Sequence, residues 1–291
     1  MDNKHITSET LRAAIDFAYH DLVAKIQNIP VYKLYSSTFT TVNNSVTLFV
    51  KESITQTRDA ARNIFDTYQE LKILKIKLKG SEHIERAKEI KSIAPKNMKF
   101  LIDANQGYKD PEIAVRDLTL IGEILGDVIL VEQPTPKDDL SALKYVKDHM
   151  KNMLVFADEA AATVKDAKKV IEHSAAHGIN IKLQKAGGIW PAKQIAQVCK
   201  ENNFKIMVGC MLEGPIGIAA GIHFADSTPN IILTDLDSDL PDPIHTTGRL
   251  PYVKGQRVVM DEPGLGVTLA WGTLKNDADG DNLIFEKINN S

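Results

Sequence analysis

Residues 99–134 read KFLIDANQGYKDPEIAVRDLTLIGEILGDVILVEQP and contain the repeating unit that decides the fold. Lys99–Asp103 and Val128–Glu132 are short apolar runs of the kind that form buried strands. Between them, Asp110 and Pro111 form a typical helix start, after which apolar residues recur at helical spacing. The stretch therefore predicts a strand, a helix and a second strand parallel to the first.

The alternation of strand and helix continues on both sides of this stretch. Ser81 and Pro191 are predicted to open two of the intervening helices, and Leu11–Ile26 is a further helix before the first strand. Eight such strands predict a closed parallel (β/α) barrel. An open doubly wound sheet is the alternative, although the glycine-rich turn that usually follows its first strand is missing from the sequence. The candidate strands are Ser45–Val50, Ile73–Leu78, Lys99–Asp103, Val128–Glu132, Leu154–Ala157, Gly178–Leu183, Lys205–Val208 and Ile231–Thr234.

Composition restricts the class of protein. The 291 residues carry 35 basic and 38 acidic side chains, so neither a nucleic-acid-binding stripe nor a polybasic membrane surface is expected. Two cysteines provide no disulfide framework, and the polar start MDNKHITSE does not resemble a secretory signal. The apolar stretch Ile206–Ala225 contains Glu213, Pro215 and His223, so we do not expect it to span a membrane. We expect a cytoplasmic enzyme with a small-molecule substrate.

Three successive candidate strands end in a carboxylate, namely Asp103, Glu132 and Asp158. The carboxyl ends of barrel strands form the active-site face, so these side chains should converge there. Three carboxylates at one point require a cation among them, and an all-oxygen ligand set favours Mg²⁺. The alternative is that each acid separately caps a helix or pairs with a base.

Lysines follow two other strands. Lys75, Lys77 and Lys79 alternate along the second strand, so their side chains share one face. That face is either solvated or points into the barrel, where an ammonium group is costly unless it meets a carboxylate or takes part in chemistry. Lys182 ends the sixth strand and should reach the lumen, whereas Lys185 is expected to be a solvated charge in the following loop.

Further candidate residues follow the last two strands. Asp235 and Asp237 share a face and could hold the positive charge of a substrate, or they could form an acidic turn that caps a helix. Cys210 and Glu213 lie after the seventh strand. Glu213 is a candidate pocket residue, and Cys210 is either at the barrel mouth or a small core residue. The histidines do not have the spacing of a zinc site.

Taken together, these motifs resemble the enolase superfamily, muconate-lactonizing subgroup, and within it the dipeptide epimerases. The similarity runs from about residue 10 to residue 266. ADEA differs mildly from the ADES that is more usual in that family, and Lys79 stands where a small residue is often found. The motifs that carry the resemblance are LKIKL (74–78), IDANQGY (102–108), VEQP (131–134), ADEA (157–160), INIKLQKAGG (179–188) and VGCMLEGPIGI (208–218).

The resemblance implies a role for each candidate. Lys77 and Lys182 would be acid/base catalysts on opposite sides of the substrate, and Lys75 would stabilise developing negative charge. Asp235 and Asp237 would bind the ammonium group of a dipeptide. The residues of the substrate pocket would also include Cys210 and Glu213. The Mg²⁺ ligands would be Asp103, Glu132 and Asp158.

The implied activity is a 1,1-proton transfer through a metal-stabilised enediolate. It would invert the α-carbon of the C-terminal residue of a dipeptide such as L-Ala-L-Glu. The alternatives are another enzyme of the subgroup (o-succinylbenzoate synthase, N-acylamino acid racemase or cycloisomerase) or a barrel that binds metal or ligand with little turnover. A homo-oligomer is compatible with all of them.

The resemblance also implies a domain organisation. Residues 1–39 correspond to the helical end of an N-terminal capping domain, most of which is expected to be missing. Residues 40–250 form the predicted barrel of the enolase kind, and residues 251–291 form a C-terminal segment that packs against the barrel or the cap. Without a full cap, water would enter the site more freely, so weaker catalysis is expected.

Overall fold

Eight parallel strands form one sheet in which each strand pairs with the next in chain order. The computed structural model describes residues 8–38, 41–78, 83–240, 246–247, 250–259, 261–269, 272–276 and 283–287. The strands are β1 (Val46–Leu48), β2 (Ile73–Lys77), β3 (Lys99–Asp103), β4 (Val128–Glu132), β5 (Leu154–Ala157), β6 (Gly178–Lys182), β7 (Lys205–Gly209) and β8 (Ile231–Asp235). Each lies at a predicted position, with ends that differ by two residues at most.

Main-chain hydrogen bonds close the sheet into a barrel between β8 and the residues before β1. The amide of Ser45 donates to the carbonyl of Thr234 at 2.8 Å, and the amide of Thr234 donates to the carbonyl of Asn43 at 2.9 Å. Asn44 and Thr234 form a parallel bridge between them. The prediction of a closed barrel is therefore confirmed, and the open sheet is excluded.

Helices surround the barrel, and one of them, α4 (Pro111–Leu125), begins where the sequence predicts. Asp110 accepts hydrogen bonds from the first turn of α4, as expected. Pro191 does not open its helix, because α8 already begins at Ile189, after Gly188 with a positive φ of 123°. Ser81 lies outside the described residues. The helices are α1 (Glu9–Ile26), α2 (Ile54–Thr67), α3 (Ile84–Ile93), α4 (Pro111–Leu125), α5 (Leu140–His149), α6 (Val164–Glu172), α7 (Leu183–Ala186), α8 (Ile189–Glu201) and α9 (Pro215–Asp226).

Helix α1 begins two residues before the predicted Leu11 and ends at the predicted Ile26, and most of its large aliphatic residues face outward. The inward face carries mainly small or aromatic residues: Ala13, Phe17, His20 and Ala24. Asp16 fixes this orientation, because its carboxylate accepts the amide of Ile189 at 2.6 Å and so caps the start of α8. The outward residues are about half exposed or more: Leu11, Ile15, Tyr19, Leu22 and Ile26.

The barrel interior is built in layers. The lower layer is apolar and consists of Ile73, Leu101, Leu130, Phe156, Met207 and Leu233. Gly178 leaves room for the Phe156 ring, since a Cβ there would lie 2.4 Å from it. Because inward residues alternate along a strand, the next inward positions toward the carboxyl ends form a second layer. That layer is polar and includes Lys75, Asp103, Glu132, Asn180, Lys182 and Asp235, all of them buried.

The remaining strands are short antiparallel pairs after the barrel. They are β9 (Thr246–Thr247) with β12 (Thr268–Leu269), β10 (Tyr252–Val253) with β11 (Gln256–Arg257), and β13 (Gly272–Asn276) with β14 (Leu283–Lys287). Within the described ranges, no helix has the length and apolar character needed to cross a membrane.

Candidate active site

A cavity of about 310 Å³ opens at the carboxyl ends of the barrel strands. Asp103 and Glu132 lie directly below it, in contact with its lysines. The cavity therefore brings together most of the side chains that were singled out in the sequence. Among its lining residues are Lys75, Lys77, Asp158, Lys182, Cys210, Asp235 and Asp237. Lys79 lies outside the described residues.

Lys75 is the buried cation at the centre of the polar layer. Its Nζ donates to Asp235 Oδ2 at 2.7 Å and to Glu132 Oε2 at 2.8 Å. It also lies 3.2 Å from Asp103 Oδ2. Burial favours the neutral amine, but the negative charges of these three carboxylates prevail and raise the pKa of Lys75 well above its usual value. Lys75 is therefore an ammonium group that balances the carboxylates around it.

Lys77 reaches the cavity from the end of β2. Its Nζ donates to Asp103 Oδ2 at 3.0 Å and to Asn105 Oδ1 at 2.9 Å. The Asn105 backbone has a positive φ of 42°, and its amide donates to Asp103 Oδ1 at 3.0 Å. The side chain of Lys77 is 27% exposed, whereas that of Lys75 is 2% exposed. Of the two lysines, Lys77 is the one accessible to a bound molecule.

Lys182 approaches the same cavity from β6. Its Nζ donates to Asp158 Oδ2 at 2.7 Å and lies 3.6 Å from Glu132 Oε1. Burial opposes the charged form, but the carboxylates of Glu132 and Asp158 raise the pKa of Lys182. Since β2 and β6 are four strands apart in an eight-stranded barrel, Lys77 and Lys182 face each other across the lumen.

Lys185 is not the solvated loop charge that the sequence suggested. It lies in α7, which begins directly after β6, and its side chain is 17% exposed. Its Nζ donates to the carbonyl oxygen of Asp158 at 3.0 Å and also to Asp158 Oδ1. The prediction was wrong because the single turn of α7 folds Lys185 back over the strand ends instead of extending it into solvent.

The three candidate metal ligands share a buried, strongly charged environment. Burial would raise the pKa of Asp103 and of Asp158, but the neighbouring lysines lower both. For Glu132 the balance is reversed. Burial and the charge of Asp103 raise its pKa to about 8, despite the nearby Lys75 and Lys182. The ammonium groups of these lysines therefore do not fully compensate the buried negative charge around Glu132.

The chemistry of these carboxylates suits a hard cation such as Mg²⁺. Asp103 and Glu132 are paired neighbours at the ends of β3 and β4, and Asp158 directly follows β5. In the conformation described, their oxygens face lysines. No group of three acidic, histidine or cysteine side chains in the described part of the chain is arranged to hold one metal ion. The donor types therefore fit Mg²⁺, and its binding would require these carboxylates to turn from the lysines toward the ion.

Two amides that the sequence analysis did not identify support the carboxylates. Asn180 Nδ2 donates to Glu132 Oε1 at 2.7 Å. The side-chain oxygen of Gln133 accepts the amides of Asp158 at 2.9 Å and Ala160 at 3.1 Å. Asn180 could have been found from the sequence, because it lies two residues before Lys182 and so shares its face of β6. The contact of Gln133 depends on its positive φ of 37°, which no sequence pattern indicates.

Asp235 and Asp237 lie close together but have different partners. Asp235 Oδ2 accepts a hydrogen bond from Lys75 Nζ, and Asp235 Oδ1 accepts one from the Ser45 hydroxyl at 2.8 Å. Asp237 accepts the amide of Thr47 at 2.6 Å. Burial and the charge of Asp235 raise the pKa of Asp237 to about 7. Within the residues described up to 240, neither carboxylate caps a helix, and the Leu240 amide donates to the carbonyl of Asp237 at 3.0 Å in a turn.

The two candidates after β7 differ in their position. Cys210 lines the cavity, with its Sγ 3.8 Å from Asp237 Oδ1, and burial raises its pKa. Glu213 does not line the cavity. Its Oε1 accepts the amide of Met211 at 3.0 Å, within its own loop.

Comparison with known proteins adds an independent observation. Residues 56–273 match the family model described as "Enolase C-terminal domain-like". An L-Ala-D/L-Glu epimerase of Clostridium acetobutylicum is 34% identical over 268 residues, which cover 92% of this chain and 74% of that relative.

Solved structures resemble the barrel closely. A substrate-liganded L-Ala-D/L-Glu epimerase from Bacillus subtilis has a TM-score of 0.83 at 32% identity, and the match covers 91% of this chain and 74% of that one. A dipeptide epimerase from Enterococcus faecalis V583, complexed with Mg and the dipeptide L-Leu-L-Tyr, has a TM-score of 0.81 at 31% identity, with coverages of 92% and 75%. The chain spans about three quarters of the length of these proteins.

Proposed function

The chain belongs to the enolase C-terminal domain-like family, and from this membership we propose that it is a Mg²⁺-dependent dipeptide epimerase. The substrate would be a dipeptide, and the reaction would invert the α-carbon of its C-terminal residue. The names of the relatives support an epimerase, and the Mg-complexed structure of a relative supports the choice of metal.

The observation that carries the proposal is the pair of lysines on opposite sides of one cavity. Lys77 enters from β2 and Lys182 from β6, and both line the same space. An α-carbon held between them would have one lysine on each face. Removal of a proton from one face and return of a proton to the other inverts the stereocentre. A single lysine could return the proton only to the face from which it came.

The number of protons balances if the two lysines begin the reaction in opposite protonation states. In one direction Lys77 is a neutral amine that accepts the α-proton, and Lys182 is an ammonium group that donates a proton to the opposite face. In the conformation described, the ammonium group of Lys182 donates to Asp158 at 2.7 Å, so Lys182 starts with a proton to give in that direction. In the reverse direction the two roles are exchanged.

Asp103, Glu132 and Asp158 would hold the Mg²⁺ ion. When bound, the ion supplies Lewis-acid stabilisation of the negative charge that grows on the substrate carboxylate as the α-proton leaves. Lys75, an ammonium group in contact with Glu132, adds positive charge on the same side of the cavity. Asn180 keeps one oxygen of Glu132 oriented toward β6.

Asp237 is the better candidate for binding the substrate ammonium group. Asp235 is already paired with Lys75 and Ser45, so it contributes mainly by keeping negative charge beside Asp237. Asp237 lines the cavity and accepts the amide of Thr47 through Oδ2, while Oδ1 has only a long contact, 3.8 Å, with Cys210 Sγ among the described residues and can accept a bound cation. A free ammonium group would distinguish dipeptides from N-acylated amino acids.

The test is exchange of the α-hydrogen for deuterium. A panel of L,L- and L,D-dipeptides is incubated with the enzyme and Mg²⁺ in D₂O, and exchange at the C-terminal residue is followed by NMR. Lys77→Ala should abolish exchange from one stereoisomer and Lys182→Ala from the other. Lys96→Ala, which changes an exposed lysine, is the matched control and should behave as wild type.

Metal binding has its own readout. Calorimetric titration with Mg²⁺ should show binding to the wild-type protein and at least tenfold weaker binding to Asp158→Asn. Absence of exchange across the whole panel, with Mg²⁺ binding demonstrated, would contradict the epimerase proposal. Exchange that survives chelation of the metal would contradict the role of Mg²⁺.

A further inference from the structure

A second cavity of about 470 Å³ adjoins the active-site cavity. The two share the side chains around their junction, which are Thr47, Phe49, Leu212, Asp237 and Ser238. We call this second space the side pocket. It lies between β1, α2 and the segments that follow β7 and β8. A molecule bound in the active site at Asp237 would therefore lie at the entrance to the side pocket.

The side pocket is largely apolar. Helix α2 contributes Ala60 and Ile64, which share one helix face because they are four residues apart, and Tyr68 follows directly after the helix. Across from them, Leu212 is 86% exposed and Phe49 is 46% exposed. Large apolar side chains that stand exposed around a cavity commonly mark a binding surface. The remaining apolar lining residues are Val46, Leu48 and Leu240.

Charge in the side pocket is confined to its two ends. Asp237 lies at the junction with the active site, and Lys51 lies on the exposed side. Between them, the described lining residues carry hydroxyl, amide and apolar groups. A charged side chain that entered the space between Asp237 and Lys51 would lose water to a lining that carries no charge.

We propose that the side pocket binds the side chain of the first residue of the dipeptide and selects large apolar side chains. This inference rests on the proposed function, because it requires the substrate ammonium group to lie at Asp237. The ammonium group and the first side chain are attached to the same carbon. An ammonium group at the junction therefore brings that side chain to the mouth of the side pocket.

The size of the side pocket sets the expected preference. A methyl group would leave most of the 470 Å³ unfilled and bury little apolar surface. Leucine or phenylalanine would contact α2 and bury more apolar surface, which should increase selectivity about tenfold or more. Dipeptides that begin with leucine or phenylalanine should therefore be preferred over those that begin with alanine, aspartate or lysine.

The experiment compares dipeptides that differ only in the first residue. The second residue is fixed as the one that gives the fastest deuterium exchange, and the first is varied through alanine, leucine, phenylalanine, aspartate and lysine. For phenylalanine, kcat/KM should exceed that for alanine by about tenfold or more. Calorimetric binding of the same peptides is measured in parallel.

Substitutions at Ile64 test the location of the selectivity. Ile64→Trp should fill the side pocket and lower the phenylalanine-to-alanine ratio of kcat/KM about tenfold. Ile64→Glu should raise the kcat/KM for lysine relative to that for phenylalanine. Ile113→Trp changes an isoleucine that is 41% exposed on α4, outside the site, and should keep the wild-type ratio.

The outcomes separate the two proposals. Exchange without preference for a large apolar first residue, or a preference that Ile64→Trp leaves unchanged, would overturn the side-pocket inference and leave the epimerase standing. Preferential binding of phenylalanine-first dipeptides without any exchange would support the side pocket and contradict the epimerase. Equal binding of all the peptides would overturn the inference whatever their exchange rates.

Discussion

The ammonium group of Lys75 lies 2.7 Å from Oδ2 of Asp235, and both side chains are buried inside the barrel. The contact joins β2 to β8 across 160 residues of chain. The same ammonium group also contacts Glu132 and Asp103, so one cation serves three carboxylates. This arrangement makes Lys75 the structural counter-ion of the site, in addition to the role in charge stabilisation that the sequence implied.

Replacement of Lys75 by methionine should therefore destabilise the fold. Lys75→Met keeps an unbranched side chain, one atom shorter, but leaves Asp103, Glu132 and Asp235 without their shared cation. Removal of one partner of a buried ion pair typically costs about 3–5 kcal/mol. Urea denaturation measures the change in the free energy of unfolding.

Lys99→Met is the matched control for Lys75→Met. The pair between Lys99 and Asp127 is 3.7 Å long, and both side chains are more than half exposed. Its loss should cost about 1 kcal/mol or less. Equal effects of the two substitutions would contradict the role assigned to Lys75.

The second prediction concerns Asp237 and the substrate ammonium group. Asp237→Asn removes the negative charge and should raise KM for dipeptides about tenfold to a hundredfold, because hydrogen bonds to charged groups contribute about 1.5–3 kcal/mol. Since the pKa of Asp237 is raised to about 7, the wild-type carboxylate becomes charged as pH rises through 7. The wild-type KM should therefore fall over that range, and the KM of the variant should not.

Steady-state kinetics between pH 6 and pH 8 checks this prediction. An N-acetylated form of the same dipeptide is the control substrate, because it has no ammonium group. Its KM should be similar for the wild type and Asp237→Asn. A variant that keeps the wild-type KM for the free dipeptide would show that the ammonium group binds elsewhere.

The sequence predicts the barrel well because its strands are locally encoded. Lys99–Asp103, Val128–Glu132 and Leu154–Ala157 are observed with the predicted bounds. Each contains at least three consecutive apolar residues, as expected for a strand covered on both faces, and an acidic residue ends the strand or directly follows it. The position of a charged residue at the strand end follows from the same pattern.

The contacts within the site could not be predicted in the same way. The pairing of Lys75 with Asp235 depends on closure of the barrel, which brings the first and last strands together. The position of Lys185 depends on the single turn of α7, which is too short to produce a periodic signal. The polar residues themselves are thus visible in the sequence, while their partners follow from the closed tertiary structure.

The third prediction concerns His223, a buried histidine in α9. Its Nδ1 accepts the amide of Tyr32 at 3.2 Å, and the two rings are stacked. Burial lowers the pKa of His223 to about 4. In the unfolded chain a histidine has a pKa of about 6.5, so between pH 6.5 and 4 the unfolded state binds more protons than the folded state. The fold should therefore lose stability as pH falls through this window, by about 3 kcal/mol in total.

The difference between wild type and His223→Gln isolates this contribution. The variant should be less stable at pH 7, because the contact with Tyr32 is altered, but it should lose less stability than the wild type between pH 6.5 and 4. Urea denaturation at several pH values provides the measurement. Parallel stability curves for the two proteins would contradict the buried neutral state of His223.

The last prediction follows from a glycine beside Lys182. A Cβ added to Gly209 would lie 2.7 Å from Asn180 Oδ1 and 3.0 Å from Lys182 Cε. Gly209→Ala should therefore displace the Asn180 amide and crowd Lys182, while Lys77, on the opposite side of the barrel, keeps its position. Deuterium exchange should fall about tenfold or more for the stereoisomer whose α-proton Lys182 removes, and less for the other.

Gly214→Ala, where a Cβ meets nothing within 4 Å, is the control and should preserve the wild-type ratio of the two exchange rates. An equal loss for both stereoisomers would mean that Gly209 supports the whole site and not Lys182 in particular.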